Sequence, residues 1–192
     1  MAIKQLSDFE IWQDYGLDEK NRIIMFHYDM APSYEAHEIG IEHVIRNLLW
    51  MDGLAKKPIN LWINCSGGWV SEMWALYDII QACRNKVNTV GVGSVCSAAA
   101  LILACGTGKR YAMPNCSFMF HQGTTGANEF LNHRDAVERL EYDKKEIKKY
   151  FEVLEKHTKK KSRYWKSKSH GELWLDPQGM IEHGVVDEIW QG

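Results

Sequence analysis

Apolar residues along this chain follow two periods. Short continuous or alternating runs mark strands, and spacings of three and four residues mark helices. Residues 22–28 carry the run Ile23-Ile24-Met25-Phe26 and are predicted as a strand. Pro32-Ser33 opens a helix capped by Ser33, with Ile41, Val44, Ile45, Leu48 and Leu49 on its apolar face and Asp52-Gly53 at its close. Residues 59–64 form the next strand and 70–86 the next helix, with Met73, Trp74, Tyr77, Ile80 and Ala82 tracing a buried side. A strand at 87–92 leads through glycines into a helix at 97–104 that is apolar almost all round, the mark of full burial. Short strands follow at 111–113 and 118–121, then a polar, glycine-containing loop at 123–133. The long helix at 134–157 has Val137, Leu140, Ile147, Phe151 and Leu154 as its stripe. A short helix at 177–182, stopped by Gly184, and a last strand at 185–190 complete the pattern. Residues 1–21 lack clear periodicity and read as a flexible or hairpin-like arm.

Strands alternating with helices imply an α/β fold on a parallel sheet with right-handed crossovers. Ligand sites in such sheets gather at the carboxyl ends of the strands. At 192 residues, without an internal repeat or low-complexity linker, a single domain is expected.

Composition narrows the class without deciding it. The chain is 45% apolar and 25% charged, with a formal net charge of −2, so no global charge draws it to nucleic acid or membrane. No apolar run reaches the ~20 residues of a membrane helix, and the first ten residues lack a signal core, so a cytoplasmic protein is expected. The five cysteines form no C-x-x-C pair and lie mostly in apolar patterns, so reduced core thiols are expected rather than a zinc site or redox pair. No metal or bound cofactor is expected. The run 159–168, K-K-K-S-R-Y-W-K-S-K, interleaves basic and aromatic residues, but a solvated basic face explains it better than nucleic-acid binding.

The candidate chemistry sits where strands end. Ser97 follows Val90-Gly91-Val92-Gly93 and heads the buried helix. Two roles are open to it, a plain N-cap or a nucleophile beside the unpaired N–H groups of a helix start. A second glycine turn, Gly67-Gly68, ends the strand at 59–64, and His121 ends the strand at 118–121. Cys96 is a rival nucleophile, though adjacent residues point in different directions.

Four runs carry a resemblance. I-N-C-S-G-G-W-V, from Ile63, is similar to the I-N-S-P-G-G-x-V of the Clp protease family. G-S-V-C-S-A-A, from Gly93, resembles G-x-A-A-S-M-G, and M-P-N-C-S-F-M-F-H-Q, from Met113, resembles L-P-N-x-x-x-M-I-H-Q. I-E-H-G-V-V-D-E-I, from Ile181, resembles V-E-Y-G-L-V-D-x-I. The motifs stand in family order over roughly residues 22–189. The resemblance implies a ClpP/crotonase-like fold of repeated β-α-β units, with a handle helix protruding from the region 123–157. It also implies a serine endopeptidase that cleaves unfolded proteins inside a self-compartmentalised homo-oligomer of two stacked rings of seven. An ATP-driven AAA+ unfoldase is the implied partner, docking in apolar clefts; Trp62 matches one cleft position, and the role of a simple core residue is equally open to it.

By the same resemblance Ser97 is the nucleophile, His121 the general base, and the backbone N–H groups of Gly68 and Ala98 the oxyanion hole. Gly67, Trp69, Val70 and Gly123 flank the bound peptide. The ungapped position for the third member holds Glu172 in place of the family's aspartate, with Asp176 as rival. Ser66 replaces a proline, Asn60 replaces an aromatic, Gly123 stands where proline is usual, and Lys159 replaces the glycine of H-T-G. The altered acid and Ser66 keep open a catalytically impaired subunit shaping a mixed ring, and a third reading is a crotonase-type acyl-CoA enzyme on the related fold, whose glycine loops also build an oxyanion hole.

Overall fold

A computed structural model describes residues 7–32, 40–123 and 132–191. The expected cap Ser33, most of the loop expected at 123–133 and the first six residues lie outside this set.

Within it, the chain runs α1 (Asp8–Tyr15), β1 (Leu17–Asp18), β2 (Ile23–Phe26), α2 (Ile41–Leu54), β3 (Ile59–Cys65), α3 (Val70–Ala82) and β4 (Val87–Cys96). It continues through α4 (Ala98–Ala104), β5 (Arg110–Ala112), β6 (Ser117–Phe120), α5 (His133–His157), α6 (Ser162–Lys168), β7 (Leu173–Leu175), α7 (Pro177–His183) and β8 (Glu188–Ile189). The strands form one sheet in the order β1-β2-β3-β4-β5-β8, parallel from β2 onward. β6 leaves this path, pairing in parallel with the end of β4 and antiparallel with β7.

The apolar pattern accounts for most of this. Along β3, Ile59, Leu61, Ile63 and Cys65 are buried in strict alternation. Ile41, Val44, Leu48 and Met51 put α2 on the core at helical spacing. All seven residues of α4 are buried. The stripe of α5 divides: Phe151 and Leu154 are buried, whereas Val137 and Leu140 are more than half exposed. Only the second half of this helix therefore packs on the body, and the first half projects.

Three expectations are corrected. Residues 8–15 form a helix rather than a flexible arm, because Ser7 and Glu10 close a capping box that a short periodicity search misses. Only the segment after it is hairpin-like, with Leu17 opposite Ile24. β4 runs on to Cys96, past both glycines, and the last strand shrinks to Glu188–Ile189 because Gly184 and the turn after it use the preceding residues. The basic run 159–168 is the solvated face expected, with Lys159, Lys161, Arg163, Lys166 and Lys168 exposed. Trp165 is fully buried, Lys161 pairs with Glu155, and Lys160 and Lys168 lie over the Tyr164 ring. Lys159, in place of the family's glycine, is held by its N–H donating to the His183 carbonyl at 2.9 Å.

At the end of α5, His157 contacts the Tyr77 hydroxyl at 3.2 Å, and its carbonyl accepts from Arg110 at 2.5 Å. Burial, with the nearby charges of Lys156 and Arg110, lowers its pKa from 6.5 to about 4. The folded form therefore refuses a proton that the unfolded chain accepts between those values. Stability is highest above the unfolded value and falls as pH drops through this window. Urea denaturation at about pH 7 and about pH 5 should show the native chain losing more stability than His157→Gln.

Candidate active site

β4 pairs with β3 and with two further strands. Its first half pairs with β5 through Thr89–Gly91, and its last three residues pair with β6. Between them the register against β3 jumps, from Ile63 opposite Gly91 to Cys65 opposite Val95. Gly93 takes φ 62° in this bulge, against the Asn64 side chain, whose Oδ1 accepts from Ser94 N–H at 3.2 Å. The bulge re-aims the strand end that carries Ser97.

Ser97 sits at φ 56°, ψ −123°, a conformation that L-residues avoid. Its backbone is over-determined: its N–H donates to the Met119 carbonyl at 2.8 Å. Its carbonyl accepts from Ala100 N–H at 3.1 Å and from the Tyr150 hydroxyl at 3.3 Å. The side chain makes no capping bond. Instead Ser97 Oγ lies 2.7 Å from His121 Nε2. The two residues are 24 apart in sequence, and parallel pairing of β4 and β6 closes that gap, with Cys96 opposite Met119. Of the two roles open to Ser97, this geometry favours the one that meets a base.

The glycine turn abuts the serine. Gly67 has φ 109° and Gly68 φ 140°. A Cβ on Gly67 would lie 2.6 Å from Ser97 Cβ and 3.1 Å from Ala98 N. A Cβ on Gly68 would lie 2.3 Å from the Met30 carbonyl oxygen. Met30 clasps this turn, its N–H donating to Gly67 O at 2.7 Å and its carbonyl accepting from Trp69 N–H at 2.8 Å. That commits Trp69 N–H, so Trp69 offers an incoming strand its half-exposed side chain, next to exposed Val70. Ser66 bonds through its hydroxyl to the Asp29 carboxylate, a tether where the family has a proline ring. Ala98 starts α4, where first-turn N–H groups lack helical partners. Gly123 is exposed, and among the described residues nothing lies within 4 Å of where its Cβ would stand.

The five cysteines are free thiols. Cys96 Sγ contacts Ser94 Oγ at 3.1 Å. Burial pushes the Cys65 and Cys116 thiols up to about 12, which keeps them protonated.

The two candidate acids are separated by register. β6 and β7 pair Phe120 with Leu173 and Phe118 with Leu175. The ladder ends at Phe120–Leu173, and Glu172 and His121 are the next residues beyond the two strands' ends. Asp176 falls opposite Ser117, four residues or about 13 Å along the strand. Its carboxylate accepts from Gly179 N–H at 2.7 Å as the cap of α7. The Glu172 carboxylate accepts from the Trp174 indole N–H at 2.9 Å. Among the described residues, no carboxylate bonds to His121.

Sequence reasoning missed two residues. Tyr150 lies on the α5 stripe three residues after Ile147, a spacing that could have found it. Met30 gave no signal, since its contribution is backbone alone. Near the other end of β3, Trp62 meets Trp190 edge-on at 5.7 Å, and Trp190 meets Tyr111 at 5.0 Å. Asn60, in the family's aromatic position, instead accepts from Asn88 at 2.9 Å.

A parallel-sheet α/β protein whose strained serine, at a strand-to-helix turn, meets a strand-end histidine beside a double-glycine turn is the class defined here. The chain belongs to the Clp protease family, whose model matches residues 18–192. It is 35% identical over 150 residues to the ATP-dependent Clp protease proteolytic subunit of Dehalococcoides mccartyi, covering 77% of this chain and 74% of that relative. It is 33% identical over 153 residues to the ATP-dependent Clp protease proteolytic subunit 2 of Corynebacterium jeikeium, covering 77% and 71%. No helix among the described residues is long and apolar enough to cross a membrane.

Proposed function

We propose that this chain is a serine endopeptidase subunit of the Clp type, hydrolysing peptide bonds of unfolded proteins inside a closed ring assembly. The observation that carries the proposal is the 2.7 Å contact between Ser97 Oγ and His121 Nε2, made by a serine in a strained, over-determined turn. In this reading Ser97 Oγ attacks the scissile carbonyl carbon while His121 Nε2 takes the hydroxyl proton. The tetrahedral oxyanion is held by the N–H groups of Gly68 and Ala98. His121 then gives its proton to the leaving amine, and water, deprotonated by the same imidazole, releases the acyl group from Ser97.

Glu172 is the acid that steadies the imidazolium, supported by its place next to the Phe120–Leu173 pair, where His121 follows on the other strand. Asp176 caps a helix. Glu172→Gln should lower kcat by about 10²–10⁴-fold. Asp176→Asn should leave it within about twofold, because asparagine caps a helix as well as aspartate. The reverse result would transfer the role to Asp176.

The assembly is two stacked rings of seven, fed by an AAA+ unfoldase. Support comes from the relatives, which are named ATP-dependent Clp protease proteolytic subunits, and from exposed apolar side chains in two places. Leu49, Trp50 and Leu54 lie on α2, and Val137, Leu140 and Tyr142 lie on the projecting half of α5. The Trp62 cluster is the docking cleft in this reading, with Asn60 weakening it. Five free cysteines fit a reducing compartment such as the cytoplasm. Turnover of a fluorogenic peptide and the mass of the assembly, measured on one purified sample, test the proposal. A large closed oligomer with activity supports it, and an oligomer without turnover favours the structural subunit of a mixed ring.

A further inference from the structure

Glu172 and His121 each lie one residue beyond the last β6–β7 pair, Phe120–Leu173, yet the Glu172 carboxylate is bound elsewhere. Glu172 Oε2 accepts from the indole Nε1–H of Trp174 at 2.9 Å. The two residues alternate on one face of the β7 edge, two positions apart, so the indole reaches the carboxylate without strain. His121 meanwhile bonds to Ser97 through Nε2. With no carboxylate on the other ring nitrogen among the described residues, neither the tautomer of His121 nor the charge it gains is supported. Glutamate makes this arrangement available: it has one more rotatable bond than aspartate, so the carboxylate can swing between two donors from a fixed backbone.

We propose that Trp174 is a latch, a positioning residue that holds Glu172 off His121 in the resting state and that substrate-competent geometry must release. The inference rests on Glu172 being the acid of the peptidase read above. The two donors compete for one carboxylate, so the population of the complete Ser97–His121–Glu172 arrangement depends on how strongly the indole holds it. Trp174 is more than half exposed, so its own contribution to the fold is small. Trp174→Phe keeps an aromatic ring on β7 and deletes only the N–H donor.

The test is steady-state peptide hydrolysis by the assembled wild type, Trp174→Phe, Glu172→Gln and the double variant. Trp174→Phe is expected to raise kcat about fivefold with KM unchanged, the change that loss of one exposed hydrogen bond to a charged group allows. The gain must vanish in the Glu172→Gln background, which a structural effect of Trp174 would not require. If Glu172→Gln lowers kcat but Trp174→Phe leaves it level or lowers it, the latch is overturned and the acid assignment stands. If Glu172→Gln leaves kcat unchanged, the acid assignment fails, and the latch with it.

Discussion

Ser97→Ala is expected to reduce peptide hydrolysis by on the order of 10⁵-fold or more while leaving the fold intact. The reason is geometric. The serine hydroxyl makes no capping bond, so its removal takes nothing from α4. Alanine inherits the same φ of 56°, and the bonds that enforce it, from Met119, Ala100 and Tyr150, are all to the backbone. His121→Ala should cost a similar factor, and the double variant no more than either single change, because the pair acts as a unit. Melting temperatures close to wild type would assign the losses to chemistry. Substantial turnover by Ser97→Ala would remove the hydroxyl from the mechanism.

Gly67→Ala is expected to damage both stability and rate. Its φ of 109° lies where L-residues are strained, and the new Cβ would stand 2.6 Å from Ser97 Cβ and 2.9 Å from the Cys96 carbonyl oxygen. Those neighbours are backbone or backbone-fixed atoms and cannot turn aside. Strain of this kind costs roughly 2–4 kcal/mol, which lowers Tm by about 5–15 °C in a chain of this size. Relief by displacing Ser97 and the Ala98 N–H would misplace nucleophile and oxyanion donor together, lowering kcat by at least about 10²-fold. Gly53→Ala is the control. It lies in α2 with nothing within 4 Å of the added Cβ, so it should be neutral or stabilising by up to ~1 kcal/mol. Equal effects from the two glycines would show that the Gly67 turn has no special tie to the serine.

Much of this arrangement was legible in the chain because it is local. Alternation along β3, helical spacing in α2 and the all-apolar run of α4 each name an element from a few neighbouring residues. The glycine turns stand out for the same reason, since positive φ leaves a compositional mark. Contacts closed by pairing were less legible. The split of β4 between β5 and β6 follows from a register jump at Gly93 that no periodicity encodes. The clasp by Met30 uses only its N–H and carbonyl, which every residue but proline shares. Weighing Glu172 against Asp176 requires knowing that Phe120 pairs with Leu173, a register fixed by the whole sheet. The bond from Trp174 to Glu172 was invisible for a further reason: two side chains on one edge have several partners within reach, and only coordinates show which is taken. Ser97 and His121 became a pair by resemblance, and the structure places Ser97 Oγ and His121 Nε2 in hydrogen-bonding distance.

The most direct measurement is covalent labelling of the assembled protein with a fluorophosphonate, followed by mass spectrometry of the modified peptide. A hydroxyl that can pass its proton to His121 should take up one phosphonyl group at Ser97, and His121→Ala should lose that labelling. A folded, assembled protein that stays unlabelled, or that carries the group on another residue, would contradict the account.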